Sequence, residues 1–137
     1  MTRAGDLAPA DAWALLASEP GAALVDVRTD AEWTFVGVPD LTELGKQVLA
    51  VSWTGWPDGA RNEEFLEQLH AAGGAAASAL VFICRSGHRS AAAADAATEA
   101  GLPRCYNVSE GFEGDLDAAG HRGGNGWRAS GLPWRQS

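Results

Sequence analysis

A chain of 137 residues, 46% of them apolar, is long enough to bury a core as one domain without staples. Eighteen acidic against ten basic side chains leave a net charge of −8, which argues against a duplex-binding surface, because phosphate contacts need clustered Lys and Arg. Two cysteines, Cys84 and Cys105, make no disulfide framework, no Cys/His spacing suits zinc, and no apolar run is fit to span a bilayer or form a signal-peptide core. The expectation is a cytoplasmic protein with no metal or cofactor and with neither nucleic-acid nor membrane partners.

Pro9 to Ala17 reads as a first helix, with Pro in a tolerated first-turn position and Trp13, Leu16 and Ala17 on its apolar face. Glu19-Pro20-Gly21 ends it, and Ala23 to Val27 follows as a buried strand with Asp26 near its carboxyl end. Arg28 to Trp33 predicts one or two helical turns capped by Thr29 or Asp30. From Gly37 to Gln47 no pattern survives, so that stretch reads as loop. Val48 to Ser52 is another short strand. The stretch from Trp53 to Arg61, broken by Gly55, Pro57 and Gly59, is a second loop whose two tryptophans cover a core edge.

Asn62 to Gly73 is the clearest helix: an Asn cap, acids in the first turn, Phe65, Leu66 and Leu69 on one face, and Gly73 to close it. His70 falls on its polar face. Ala79 to Ile83 is an apolar strand, Ala91 to Ala100 an Ala-rich helix ending at Gly101, and Cys105 to Val108 a final strand. Strands alternating with helices imply parallel β-α-β units in a three-layer sandwich. The segment 114–137 is rich in Gly yet holds Trp127 and Trp134, so it is expected to pack on the domain rather than trail from it.

Between the 79–83 strand and the next helix stands Cys84-Arg85-Ser86-Gly87-His88-Arg89-Ser90. A strand, a short loop opening on cysteine, then a helix aims backbone N–H groups and the positive end of the helix dipole at one sulfur. Such groups, with cations such as Arg85 and Arg89 beside them, activate a thiol placed there. Ligands of open parallel sheets sit at the carboxyl ends of strands, which is where Cys84 falls. The reading is a nucleophilic Cys84 beside a pocket for a small anion. Arg85 faces the substrate. Arg89 stands at the helix start, where a cation opposes the dipole, so it either contacts the anion or forms an ion pair that fixes the loop. His88 points either to the pocket or to solvent, and Ser86 and Ser90 are loop and cap residues able to donate hydrogen bonds. Asp26 and Arg28 read as structural support, an ion pair below the loop, and Cys105 as core.

The loop Cys84 to Arg89 resembles the six-residue persulfide loop of the rhodanese family of sulfurtransferases. Asp26-Val27-Arg28 followed by Glu32-Trp33 resembles that family's first signature, and Asn107-Val108-Ser109-Glu110-Gly111-Phe112 its last-strand and turn motif. The ending Gly126 to Trp134 is similar to single-domain members. One departure is visible: the family's His-bearing turn after Glu-Trp is here Gly37-Val38-Pro39-Asp40, without histidine.

The resemblance implies a parallel sheet of about five strands with helices on both faces, over one domain spanning 1–137. It also implies an enzyme that forms a persulfide on Cys84. Arg85, Ser86, Gly87, His88 and Arg89 would bind a small anionic sulfur donor such as thiosulfate, and the sulfur would pass to a thiol, an acceptor protein or cyanide. Gly87 can take the positive φ that lets backbone curl round the sulfur. The rival chemistry is a related-fold cysteine phosphatase or arsenate reductase. Those resemble this loop but place five residues between Cys and Arg to surround a tetrahedral oxyanion, where this chain has four. A further rival is a non-catalytic module that binds a partner or senses oxidants.

Overall fold

The computed structural model describes residues 2–55, 58–102 and 104–136. Its frame is a five-stranded parallel sheet in the order β1-β6-β5-β2-β4: β1 Gly5–Leu7, β2 Ala22–Asp26, β4 Leu49–Ala50, β5 Ala79–Ile83 and β6 Cys105–Val108. Helix α1 (Pro9–Ser18) covers one face. Helices α3 (Phe65–Ala71) and α4 (His88–Glu99) cover the other, and short α2 (Asp30–Phe35) follows β2. A second, antiparallel pair joins β3 (Val38–Pro39) to β7 (Trp134–Arg135).

Alternation along the central strand divides the core. Ala79, Val81 and Ile83 of β5 face Ala12 and Leu16 of α1, while Leu80, Phe82 and Cys84 face the Phe65, Leu69, Ala93, Ala94 and Ala97 side. These three of the six alanines of α4 are fully buried. Side chains that small let the helix lie close to β5 and β6, and so hold its first turn over the end of β5.

Expected elements 23–27, 79–83 and 105–108 stand within a residue of their positions, and the α/β three-layer class is correct. The differences have physical causes. Strand β1 was not anticipated: three residues with one large apolar side chain carry no periodic signal, and the strand exists through its ladder with β6 (Gly5 opposite Tyr106, Leu7 opposite Val108). The loop expected over 37–47 contains β3 and a 3-10 turn, Thr42–Leu44, because β3 pairs with a segment near the far end of the chain. The strand expected over 48–52 pairs only at Leu49–Ala50.

Asn62 does not cap α3. Its Oδ1 accepts from the Glu64 N–H and its Nδ2 donates to Ser52 O and Gln68 Oε1, so it braces the preceding loop, and the helix starts at Phe65. On α1 the buried face is Ala12 and Leu16, with Trp13 half-buried and Ala17 exposed. Helix α4 begins at His88, three residues before the Ala run. Trp53 packs edge-on against Phe65 with ring centroids 5.1 Å apart, while Trp56 lies outside the described residues.

Trp127 is fully buried against the α1 face, its ring 5.9 Å from that of Trp13, and its Nε1 donates to Pro133 O. The Gly-rich segment therefore contributes a core residue. No helix among the described residues is long and apolar enough to cross a membrane. Trp127→Ala is expected to destabilise the domain by about 3–5 kcal/mol in urea unfolding, the usual cost of a large buried ring; a change under about 1 kcal/mol would show that the segment is dispensable to the core.

Candidate active site

Cys84 follows the last residue of β5 and is 1% exposed. Its sulfur accepts a hydrogen bond from the Gly87 N–H at 3.2 Å and lies 3.2 Å from the Ser90 hydroxyl oxygen. The sequence predicts several N–H groups on this sulfur; among the described residues the structure records one, from Gly87, the N-cap residue of α4. Gly87, at φ +102°, makes that turn, and a Cβ there would stand 2.2 Å from the Ser109 carbonyl oxygen. No other residue fits between the loop and the strand beyond it.

The loop is held from two sides. From the turn after β6, the Phe112 N–H donates to Cys84 O at 2.8 Å and the Glu113 N–H to Arg85 O at 2.9 Å. Gly111 packs so closely that a Cβ would lie 2.5 Å from the Arg85 carbonyl. Asn107 Nδ2 donates to Gly87 O and to Asp6 Oδ1, each at 3.2 Å, and Asn107 Oδ1 lies 2.5 Å from Ser90 Oγ.

From α2, Glu32 takes both Arg89 terminal nitrogens, at 2.7 and 2.9 Å. Glu32 is itself set by a capping box with Thr29, whose backbone and hydroxyl donate to it. Of the two roles open to Arg89 from sequence, the ion pair is the one observed. Burial works to raise the Glu32 carboxyl, but the hydrogen bonds and charge of Arg89, with the Thr29 donors, outweigh it and hold Glu32 below its ordinary value.

Asp26 and Arg28 are buried and joined through Nε and Nη2, with Nη2 also donating to Gly37 O at 2.8 Å. The Arg28 guanidinium lies 4.3 Å from the centre of the Phe112 ring. The pair thus ties the end of β2 to the turn that supports the loop. Arg85 and His88 are exposed, and Ser86 is half-buried. Arg85 and Arg89 border an open cleft of about 490 Å³ whose other wall includes Glu32, Phe35, Val36 and Thr54. Another cavity, of about 510 Å³ and lined by Asp26, Trp33, Lys46 and Arg135 among others, touches no residue of the loop. Burial pushes the Cys105 thiol up, as expected of a core residue. No group of three His, Cys, Asp or Glu among the described residues is arranged to hold a metal.

Three supports were not assigned a role from sequence: Glu32, Asn107 and Gly111. The Thr-x-x-Glu spacing at 29–32 is a readable capping signal, but its use against Arg89 is tertiary. Asn107 stands in a short strand, where nothing local marks it.

A parallel sheet with a cysteine loop between its central strand and a covering helix defines a rhodanese-like domain. Residues 5–137 match the family described as STR4 middle domain, and the chain belongs to that family of rhodanese-like domains. The fold is similar to the crystal structure of Rv0390 from M. tuberculosis, with TM-score 0.93 and 54% identity, covering 99% of this chain and 100% of that one. It is less similar to RPA3614 from Rhodopseudomonas palustris, a protein of unknown function titled a possible tyrosine phosphatase (TM-score 0.55, 25% identity, 96% of this chain and 84% of that one). Among curated sequences, an uncharacterised Rickettsia conorii protein is 39% identical over 128 residues, 90% of this chain and 91% of that protein. The chloroplastic THYLAKOID RHODANESE-LIKE protein of rice is 31% identical over 131 residues, 95% of this chain but 25% of the rice protein.

The Glu32–Arg89 tether has a pH signature. A carboxylate lowered by folding contributes its full stability above the ordinary glutamate value of 4.5 and loses it as pH falls through the lowered value. Glu32→Gln should therefore cost about 1–2 kcal/mol at neutral pH, as for a partly buried charge-assisted pair. The gap to wild type should close in acid. Equal gaps at both pH values in thermal unfolding would remove the charge from the explanation.

Proposed function

We propose that this protein is a sulfurtransferase that carries sulfane sulfur on Cys84. The observation that carries the reading is the position of the Cys84 sulfur at the end of the central strand, under the N-terminus of α4, with the Gly87 N–H donated to it. An N–H donor and a helix N-terminus both favour the negative charge that develops on a sulfur they face as it attacks. The Cys84 thiolate attacks the outer sulfur of thiosulfate; the Sγ–S bond forms, the donor's S–S bond breaks, and sulfite leaves with the electron pair. The outer sulfur, now a persulfide anion, passes to a thiolate or to cyanide, and the Cys84 thiolate is restored.

Arg85 suits the donor. It makes no ion pair among the described residues, lies at the cleft and can hydrogen-bond sulfonate oxygens, while Arg89 is occupied by Glu32. That occupation also weighs against phosphate or arsenate chemistry, which needs the loop arginine aimed at a tetrahedral oxyanion. The shorter Cys84–Arg89 spacing points the same way.

Thiosulfate should add one sulfur atom to the wild-type protein in intact-mass measurement and none to Cys84→Ala. No gain in wild type, with turnover of a phosphate ester, would replace this reading by the phosphatase one; no gain with ready oxidation by peroxide would make it a sensor. Arg85→Ala should raise the KM for thiosulfate by about tenfold, the worth of one charge-assisted contact on an exposed cation, with the melting temperature unchanged. Unaltered kinetics would return Arg85 to the plain surface.

A further inference from the structure

Ser90 Oγ lies between two groups, 3.2 Å from Cys84 Sγ and 2.5 Å from Asn107 Oδ1. A hydroxyl has one hydrogen to give, so it serves one of them at a time. The Asn107 amide decides which. Its nitrogen faces Gly87 O and the Asp6 carboxylate, and both of these only accept. A flipped amide would set its oxygen against two acceptors, so the atom facing Ser90 is Oδ1, which carries no hydrogen. The Ser90 proton therefore goes to Asn107. With its proton on Asn107, the serine oxygen has only a lone pair to turn to the sulfur, and a thiol's own hydrogen would fill that contact.

We propose that Asn107 is a positioning residue for Cys84: it holds the Ser90 proton and so keeps the resting cysteine a thiol, and rotation of that one hydroxyl toward the sulfur admits the thiolate. The inference rests on Cys84 being the reacting group. In the step, the thiol proton leaves to solvent, the Ser90 O–H turns from Asn107 Oδ1 to Sγ, and the Gly87 N–H stays on the sulfur. Asn107, 3% exposed, then faces the serine oxygen without its hydrogen. The bare thiolate is thereby disfavoured. In the persulfide the charge moves to the outer sulfur, Sγ no longer demands the proton, and Ser90 can return it to Asn107. The arrangement thus favours the loaded cysteine over the bare thiolate.

Among the described charged groups around the sulfur, Asp6 alone accepts from Asn107, and it is paired with Arg3 as well. Arg89 is paired with Glu32 and Arg28 with Asp26, and Arg85 and His88 are exposed.

The test is the rate of iodoacetamide alkylation at Cys84, read by peptide mass spectrometry on the reduced full chain. Asn107→Leu frees the Ser90 hydroxyl for the sulfur and should speed alkylation about threefold or more at about pH 6.5, with rates converging at about pH 9.5. In a Ser90→Ala background the same substitution should lose most of this effect, leaving only the share carried by the Asn107 bond to Gly87 O. A profile that does not move, a loss of rate equal at both pH values, or an equal gain without Ser90 would overturn the inference. Should Asn107→Leu fail to fold, the smaller Asn107→Ala also removes the acceptor from Ser90 and must speed alkylation at the lower pH mainly while Ser90 is present. Thiosulfate loading is a separate readout. A wild type that loads sulfur beside an unmoved profile sinks this inference alone, and a wild type that does not load sinks the sulfurtransferase reading while the alkylation result stands.

Discussion

The cysteine loop keeps its shape because the turn after β6 presses against it with no room for a side chain between them. Gly87 and Gly111 are the two contact points. A Cβ on either would lie 2.2 or 2.5 Å from backbone of the opposing segment. At that distance the two backbones can exchange hydrogen bonds directly, and they do: the N–H groups of Phe112 and Glu113 cap the carbonyls of Cys84 and Arg85. With its carbonyls turned away to the turn, the loop leaves Gly87 free to present its N–H to the sulfur. Helix α4 can start at once because Gly87 accepts a positive φ as its N-cap. The buried alanines on the same helix keep it low on the sheet, so that its first turn stays over Cys84.

Charge is organised around the same loop. In a chain of net charge −8, most cations near the core are already committed: Arg28 to Asp26, Arg89 to Glu32, Arg104 to Glu19, Arg3 to Asp6 and Asp95, and Lys46 to three backbone carbonyls. Arg85 is different: it is exposed, borders the cleft and makes no ion pair among the described residues. Removing one partner of the buried Arg28–Asp26 pair would strand a charge, and such losses run to about 3–5 kcal/mol. The pair is therefore better read as a fastener between β2 and the Phe112 turn than as a ligand site. Phe112 carries the contact onward, with Arg128 5.4 Å from its ring centre and 5.0 Å from that of Trp134. The C-terminal segment is joined through these rings to the turn that shapes the loop.

The parts legible in sequence were those with a local cause. The apolar runs Ala79 to Ile83 and Cys105 to Val108, a helix cap at Thr29 or Asp30 and the order strand, cysteine, helix each follow from residues within a few positions of one another. From that order came the fold class, the place of Cys84 and the family resemblance. Gly87 could be read as a turn residue, though not the Ser109 carbonyl that makes glycine obligatory there. Strands β1, β3 and β7 were not legible, since two or three residues gain strand geometry only from a partner distant in the chain.

The sequence by itself thus determined which sulfur is the candidate nucleophile and on which element it stands, because strand, loop and helix signals are contiguous. The tertiary structure alone decided what each neighbour does. Arg89 could have faced the anion, but α2 brings Glu32 within 2.7 Å of it and takes that charge into the frame. Asn107 carries no sign of its role in its own strand. It acquires one because parallel pairing sets β6 beside β5 and so brings its amide against Ser90 and Gly87. Hydrogen bonds between groups far apart in the chain depend on register and packing, and neither is written in any local run of residues.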